Sequence, residues 1–324
     1  MEIGSFLELD IRNTGEYYTG ECNIARLNTA RAGIYHACRL LNCNVIYIPY
    51  YLCPSVSRFL ISKNIVVKYY NIYGNFEPVS FIQDPNTAVL LVNYFGLLPS
   101  SYFENLKVNY KNIIIDNCAS FYSKPLDYCY NVYSPRKFFG VPDGCYVIGG
   151  KAEDKVDDYL TDISFDTSLF LFKRIEVGCS AAYADRMKNE ERIDKSDIMQ
   201  MSKLTKSLLC GIDYETIKQK RMDNFYFAHD LYKSINLIDP FDFFGTDSVP
   251  IVYPLVIENI EMVERLNQQK IYTGRWWKDV LSLVSGHSFE AWLSKYMVPV
   301  PIDQRYCKNE LKYVFTSIIN TFRN

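Results

Sequence analysis

N-I-I-I-D-N-C-A-S-F-Y-S, Asn112 to Ser123, followed shortly by Y-N-V-Y-S-P-R-K-F-F-G-V-P-D-G, Tyr130 to Gly144, is the stretch that decides how this chain reads. It places a carboxylate, Asp116, at the end of an apolar run and an amine, Lys137, just past a second strand-like run. In a sheet covered by helices, ligands sit at the carboxyl ends of the strands, so side chains leaving neighbouring strand ends face one crevice. A carboxylate and a lysine placed in this way point to the chemistry of pyridoxal phosphate (PLP). The lysine forms a Schiff base, and the carboxylate keeps the pyridine nitrogen protonated so that the ring takes up electrons.

Upstream of this stretch the chain alternates short apolar runs with helical or turn-rich pieces. N-V-I-Y-I-P-Y-Y (Asn44 to Tyr51), I-V-V-K-Y-Y-N-I (Ile65 to Ile72), T-A-V-L-L-V-N-Y-F-G (Thr87 to Gly96) and N-I-I-I-D (Asn112 to Asp116) are rich in Val and Ile and do not alternate strictly. Such runs predict central strands covered on both faces. S-V-S-R-F-L-I-S-K, Ser55 to Lys63, predicts a crossover helix between the first two, hence βαβ units and a parallel sheet. Leu27 to Leu41 predicts an earlier helix: Ile34, Ala37, Cys38 and Leu41 have the spacing of one buried face, and Asn28 or Thr29 stands where an N-cap belongs. The small residues Thr29, Ala30, Ala32 and Gly33 would let an anion approach its free N–H groups. Pro49 to Tyr51, Asn93 to Gly96 and Asp116 all fall at strand ends and are expected to line one crevice.

The composition limits the alternatives. With 324 residues, 48 % hydrophobic and 22 % charged, the chain can bury a large core, and small, weakly charged ligands are expected rather than nucleic acid or an anionic membrane, because a net charge of −2 comes without any sustained basic run. No apolar stretch approaches a membrane span, and the first ten residues carry no basic segment followed by an apolar core, which reads as cytoplasmic. The ten cysteines, Cys22 among them, are scattered through apolar segments and read as reduced thiols. With three histidines and no C-x-x-C or H-E-x-x-H pattern, no metal site is expected. Past Gly150, K-A-E-D-K-V-D-D reads as a solvated connection, and Ser168 to Met187 and Met201 to Ile235 as helical. I-D-P-F-D-F-F-G-T-D, Ile238 to Asp247, is rich in turn formers, and a last helix is expected over Asn309 to Phe322.

Taken in order, these segments resemble the DegT/DnrJ/EryC1/StrS family of PLP-dependent, fold type I sugar aminotransferases. N-T-A-R-A-G is similar to the family's phosphate-binding helix start and I-P-Y-Y-L-C-P-S to its strand end beside the cofactor ring. I-I-I-D-N-C-A-S-F resembles the segment of the pyridinium aspartate, and S-P-R-K-F-F-G-V-P-D-G that of the Schiff-base lysine. R-M-D-N-F-Y-F-A-H-D-L, Y-P-L-V, I-Y-T-G-R-W-W and V-P-V-P-I-D-Q-R-Y resemble the approach to its small lobe and that lobe itself. The resemblance implies an α/β fold: a large domain, residues 1–240, with a mostly parallel central sheet flanked by helices, and a smaller C-terminal α/β lobe, residues 241–324. It also implies a homodimer with its active sites at the subunit interface.

On the same resemblance, Lys137 holds PLP and carries the proton between substrate and cofactor, while Asp116 pairs with the pyridine N–H. The backbone N–H groups of Ala30 and Arg31, with the hydroxyls of Thr29 and Ser134, take the phosphate. Tyr51 or Tyr50 stacks on the ring, with Cys53 a further candidate for that place, and Asn93 reaches the cofactor. Tyr94, Gln304 and Arg305, with Tyr306, are the substrate candidates, and Trp276 and Trp277 are either a substrate wall or core. Plainer readings stand beside these: Thr29 as a helix cap, the tyrosines as core, Asn93 and Tyr94 as a strand-end turn, Arg305 as an exposed ion pair, and Arg136 pointing away toward an acid.

Two positions depart from the family. Three residues after the aspartate, where Gln or His is usual, stands Ala119, and no G-x-N-x-R segment occurs between Gly178 and Met201. The expected reaction is transfer of an amino group from glutamate or glutamine to a keto-sugar, free or nucleotide-linked. A PLP-dependent sugar dehydratase or lyase is the alternative among enzymes; family dehydratases carry histidine where this chain has Lys137. A non-catalytic or regulatory protein of the same fold is the alternative of another class.

Overall fold

In the computed structural model, which describes residues 3–21 and 23–323, each apolar run named above becomes a strand. The chain runs β1 (Ile24–Leu27), α1 (Ala30–Leu40), β2 (Val45–Pro49), α2 (Pro54–Ser62), β3 (Val66–Tyr70), β4 (Ala88–Val92), α3 (Ser100–Leu106), β5 (Ile113–Asp116), β6 (Tyr130–Tyr133) and β7 (Cys145–Ile148). These strands form one seven-stranded sheet in the order β1-β7-β6-β5-β4-β2-β3. β2 pairs parallel with β3 and β4, β4 with β5, and β5 with β6, whereas β7 is antiparallel to both β6 and β1. Every residue of β4, β5, β6 and β7 is buried, as expected for strands covered on both faces. β3, at the edge, alternates instead, with Val66 55 % exposed.

Helix α1 packs on β6 and β7, and Gly33 is the reason it lies so close. A Cβ at Gly33 would stand 2.7 Å from Cys145 Sγ and 2.9 Å from Val147 Cγ2, closer than a side chain tolerates. The glycine therefore serves helix–sheet contact rather than ligand approach. Its N-cap is Thr29, whose hydroxyl accepts from the Ala32 N–H.

Beyond the sheet come α4 (Leu169–Lys195), α5 (Lys203–Cys210) and α6 (Tyr214–Tyr232), then β8 (Val252–Val256), α7 (Met262–Gln268), α8 (Phe289–Tyr296), β9 (Met297–Pro301) and α9 (Lys308–Arg323). β8 and β9 form an antiparallel pair covered by helices. α4 is broken at Gly178, whose backbone (φ 86°, ψ −179°) no helix contains. α6 packs on β8 and α9, so the C-terminal lobe borrows a helix from before residue 241. One continuous apolar core runs from Ala25 through both sheets to Ile318. The nine described cysteines are free thiols, and Cys22 lies outside the described residues. Among the described residues no helix is long and apolar enough to cross a membrane.

Candidate functional site

The parallel strands β2, β4, β5 and β6 all end on the same edge of the sheet, and a cavity of about 820 Å³ opens there. That volume falls within the range of roughly 300–1,000 Å³ usual for cofactor and ligand sites. Thr29, Ala30, Arg31, Asp116, Ser134 and Lys137 all line it, as do Gln304 and Arg305 from the C-terminal lobe.

Asp116, the last residue of β5, is 6 % exposed, lines the cavity and accepts the Cys118 N–H at 2.9 Å, which fixes one carboxylate oxygen. Lys137 closes a one-turn helix, Pro135–Lys137, at the end of β6, and its amine has no hydrogen-bond or ion-pair partner among the described residues. Both charges act on Cys118: burial pushes its thiol well up, the Asp116 carboxylate adds to that, and Lys137 opposes it. The neighbouring Arg136 donates to both oxygens of Glu190, each at 2.6 Å, and so ties the lysine turn to α4. Burial pushes Glu190 up, but the Arg136 charge and hydrogen bonds outweigh it and hold the carboxyl below its ordinary range.

The N-terminus of α1 forms another wall. Ala30 and Arg31 are its first two residues, so their N–H groups have no partner within the helix. The Arg31 side chain turns aside, pairing with Asp194 at 3.0 Å and donating to the Ile193 carbonyl. Ser134 is buried and its hydroxyl has no protein partner among the described residues. An anion-binding helix start, a free hydroxyl, a strand-end carboxylate and an unpaired lysine are the donor set that PLP requires, so the residues present fit that group.

Five of the expected residues, Tyr50, Tyr51, Asn93, Tyr94 and Tyr306, stand off the cavity. Tyr51 is fully buried, its ring edge-on to Trp277 at 4.7 Å, while Leu52 and Cys53 face the cavity in its place; Tyr50 stacks on Tyr69 at 4.9 Å. Asn93 spends its amide on the Leu98 carbonyl, Asn117 Oδ1 and Ser123 Oγ, all at 3.2 Å. Tyr94 donates its hydroxyl to the Tyr51 carbonyl at 2.8 Å. Trp276 and Trp277 are both wall and core packing. Arg305 makes two bonds of 2.7 Å to Asp303, and Gln304 donates to the Phe138 carbonyl at 2.9 Å. Ala119 is buried away from the cavity, and Cys118 lines it instead.

Sequence reasoning missed one whole wall. α4 contributes Phe170, Arg174, Tyr183, Arg186 and Asn189 across the break at Gly178, and α6 contributes Arg221. The signal for Arg221 was present: Phe225, Ala228 and Tyr232 follow it at i+4, i+7 and i+11, so the arginine lies on the buried stripe of its helix.

No family model matches this chain, and no curated protein matches it. Solved structures do. PseC from Helicobacter pylori, an aminotransferase involved in the biosynthesis of pseudoaminic acid, superposes with a TM-score of 0.66 at 11 % identity, over 94 % of this chain and 88 % of that one. NtdA from Bacillus subtilis, with bound cofactor PMP, gives 0.66 at 11 % identity over 95 % and 75 %. A DegT DnrJ EryC1 StrS aminotransferase from Brucella abortus gives 0.63 at 12 % identity over 94 % and 87 %. At these identities the likeness carries the fold. The large sheet with its smaller C-terminal lobe has the architecture of fold type I PLP-dependent transferases.

Proposed function

We propose that this protein is a PLP-dependent aminotransferase that moves an amino group from glutamate or glutamine to a keto-sugar, free or nucleotide-linked, in sugar or polysaccharide biosynthesis. The observation that carries the reading is the meeting of Asp116, Lys137 and the open N-terminus of α1 on one cavity wall system. Bound there, PLP supplies an electron sink that weakens the bonds at an amino-bearing carbon. Asp116 is the partner for a protonated ring nitrogen, and its buried position strengthens that charge-assisted bond. The N–H groups of Ala30 and Arg31, with the hydroxyls of Thr29 and Ser134, hold the phosphate. Lys137 Nζ, without an ion-pair partner among the described residues, is the covalent attachment point and the base that moves the proton. Cys53 occupies the ring-facing place that Tyr51 leaves, and Gln304 and Arg305 are the substrate-side contacts.

The same proposal keeps the division into a large domain, 1–240, and a small lobe, 241–324, and a homodimer. Supporting the dimer, Ile163, Phe165, Phe172 and Ile175 are apolar and more than half exposed on the segment that leads into the α4 wall. Light scattering should give twice the chain mass. For the reaction, PLP-loaded protein is mixed with a panel of amino acids and its absorption followed. Conversion to the pyridoxamine form by glutamate or glutamine is expected; no conversion by any amino acid refutes the transaminase reading.

A further inference from the structure

Arg221 is a buried cation that the residues around it leave unbalanced. It is 2 % exposed, yet both of its acceptors are carbonyls: Ile251 O lies 3.2 Å from Nη1 and Phe138 O 3.4 Å from Nη2, the latter at the limit of a hydrogen bond. Its Nε has no partner among the described residues. The acid that acts on it, Asp303, is already engaged by Arg305 through two bonds. Burial pushes its guanidinium down to about 10, with Asp303 pulling the other way. A desolvated and unpaired guanidinium is costly, and an incoming anion removes that cost.

The position of this cation matters as much as its charge. The guanidinium carbon lies 4.6 Å from the ring centroid of Phe138, the residue after Lys137, which places the cation beside the lysine turn. Gln304 donates to the Phe138 carbonyl at 2.9 Å, and its own Oε1 is buried without a partner among the described residues. Arg221, Gln304 and Lys137 line the same cavity. A planar fork beside an unused acceptor suits a planar monoanion that carries an N–H donor nearby, as an amino acid does. A phosphate dianion suits it less, because Asp303 already places a negative charge there.

We infer that Arg221, flanked by Gln304, is a carboxylate-binding site in the cavity wall and takes the carboxylate of the amino donor beside Lys137. Only the identification of the carboxylate's owner rests on the aminotransferase reading. The test uses the full chain without added PLP, titrated with glutarate and with its neutral diamide while the emission of Trp276 and Trp277 on the cavity wall is followed. Glutarate should bind saturably and at least about tenfold more tightly than the diamide. Arg221→Met should weaken glutarate by roughly ten- to a hundredfold and bring the two ligands to parity, with Arg221→Lys intermediate. A merely structural arginine would change the melting temperature without changing that ratio. Should Arg221→Met fail to fold, Arg221→Lys and Gln304→Leu report the same ratio. Equal binding of the two ligands by the unmodified chain, an unchanged preference in the variants, or displacement of glutarate by equimolar inorganic phosphate would each overturn the assignment. Glutarate binding without amino transfer would leave this site standing and remove the aminotransferase reading. Unaltered transfer and saturation in Arg221→Met would remove this site alone.

Discussion

Gly33→Ala is a one-methyl perturbation at the point where the proposed phosphate site meets the sheet. The added carbon would stand 2.7 Å from Cys145 Sγ, 2.9 Å from Val147 Cγ2 and 3.1 Å from Val132 Cγ1, where about 3.5–4.0 Å is comfortable. All three neighbours are fully buried in β6 or β7, so none can swing into solvent. Overpacking of this kind costs about 1–3 kcal/mol, here about 2–3 because no neighbour can move away, whereas replacing a helical glycine with alanine gains about 1 kcal/mol. The steric cost wins, for a net loss of about 1–2 kcal/mol and a fall of roughly 1.5–3 °C in melting temperature. α1 should also ride outward from the sheet, carrying the N–H groups of Ala30 and Arg31 with it, so PLP affinity should fall as well. Cys145→Ala removes the nearest contact, and in the double variant the two changes should couple favourably while the valine contacts keep the rescue partial. Thermal melts and PLP titrations of the four proteins form the assay. A Gly33→Ala protein about 1 kcal/mol more stable than the parent would mean that helix propensity alone governs the site and that the close packing is misjudged.

Further expectations follow from neighbouring groups. Gly96→Ala should be far worse, above about 3 kcal/mol, because φ is +77° and the new carbon would lie 2.6 Å and 2.7 Å from the Ala119 and Val249 carbonyl oxygens, which are backbone; its denaturant midpoint measures this. Asp116→Asn keeps an acceptor for the Cys118 N–H and should stay folded, but lose PLP affinity by roughly ten- to a hundredfold in a spectral titration. Glu190→Gln should cost about 0.5–1 kcal/mol at pH 7 by loosening Arg136. Because the folded carboxyl titrates below its ordinary 4.5, this contribution is present above that value and disappears as pH falls through the depressed one. Parent and variant should therefore converge in acid, and a gap that persists there refutes the ion-pair explanation.

Much of this molecule could be read before any coordinates, and the limits of that reading have physical causes. Strands β2, β4 and β5 announce themselves because strands covered on both faces need unbroken apolar runs, and α1 because its buried face repeats at helical spacing. β1 and β7 are four residues each, as β5 is, but lack its run of isoleucines: Arg26 interrupts the first, and Cys145 and Tyr146 open the second. Asp116 and Lys137 were legible because each ends a strand-like run, and strand ends face the cavity. Tyr51, Asn93 and Tyr94 also end such runs, but the chain turns after Pro49 and Val92 and directs their side chains into the protein. Which way a residue points after a turn is set by tertiary packing, not by local pattern. The α4 wall was hidden for a related reason. Its cavity face is a mixture of Arg, Phe, Tyr and Asn with no single periodicity, interrupted at Gly178.

The central claim is that Lys137 carries the cofactor. It is tested most directly by mixing the protein with PLP, reducing with borohydride, digesting, and locating the pyridoxyl mass by peptide sequencing. The account predicts a single stoichiometric label on the peptide containing Ser134 to Gly144, at Lys137, together with a visible absorption band that Lys137→Ala abolishes. Label spread over surface lysines, or an absorption band unchanged in Lys137→Ala, would contradict it.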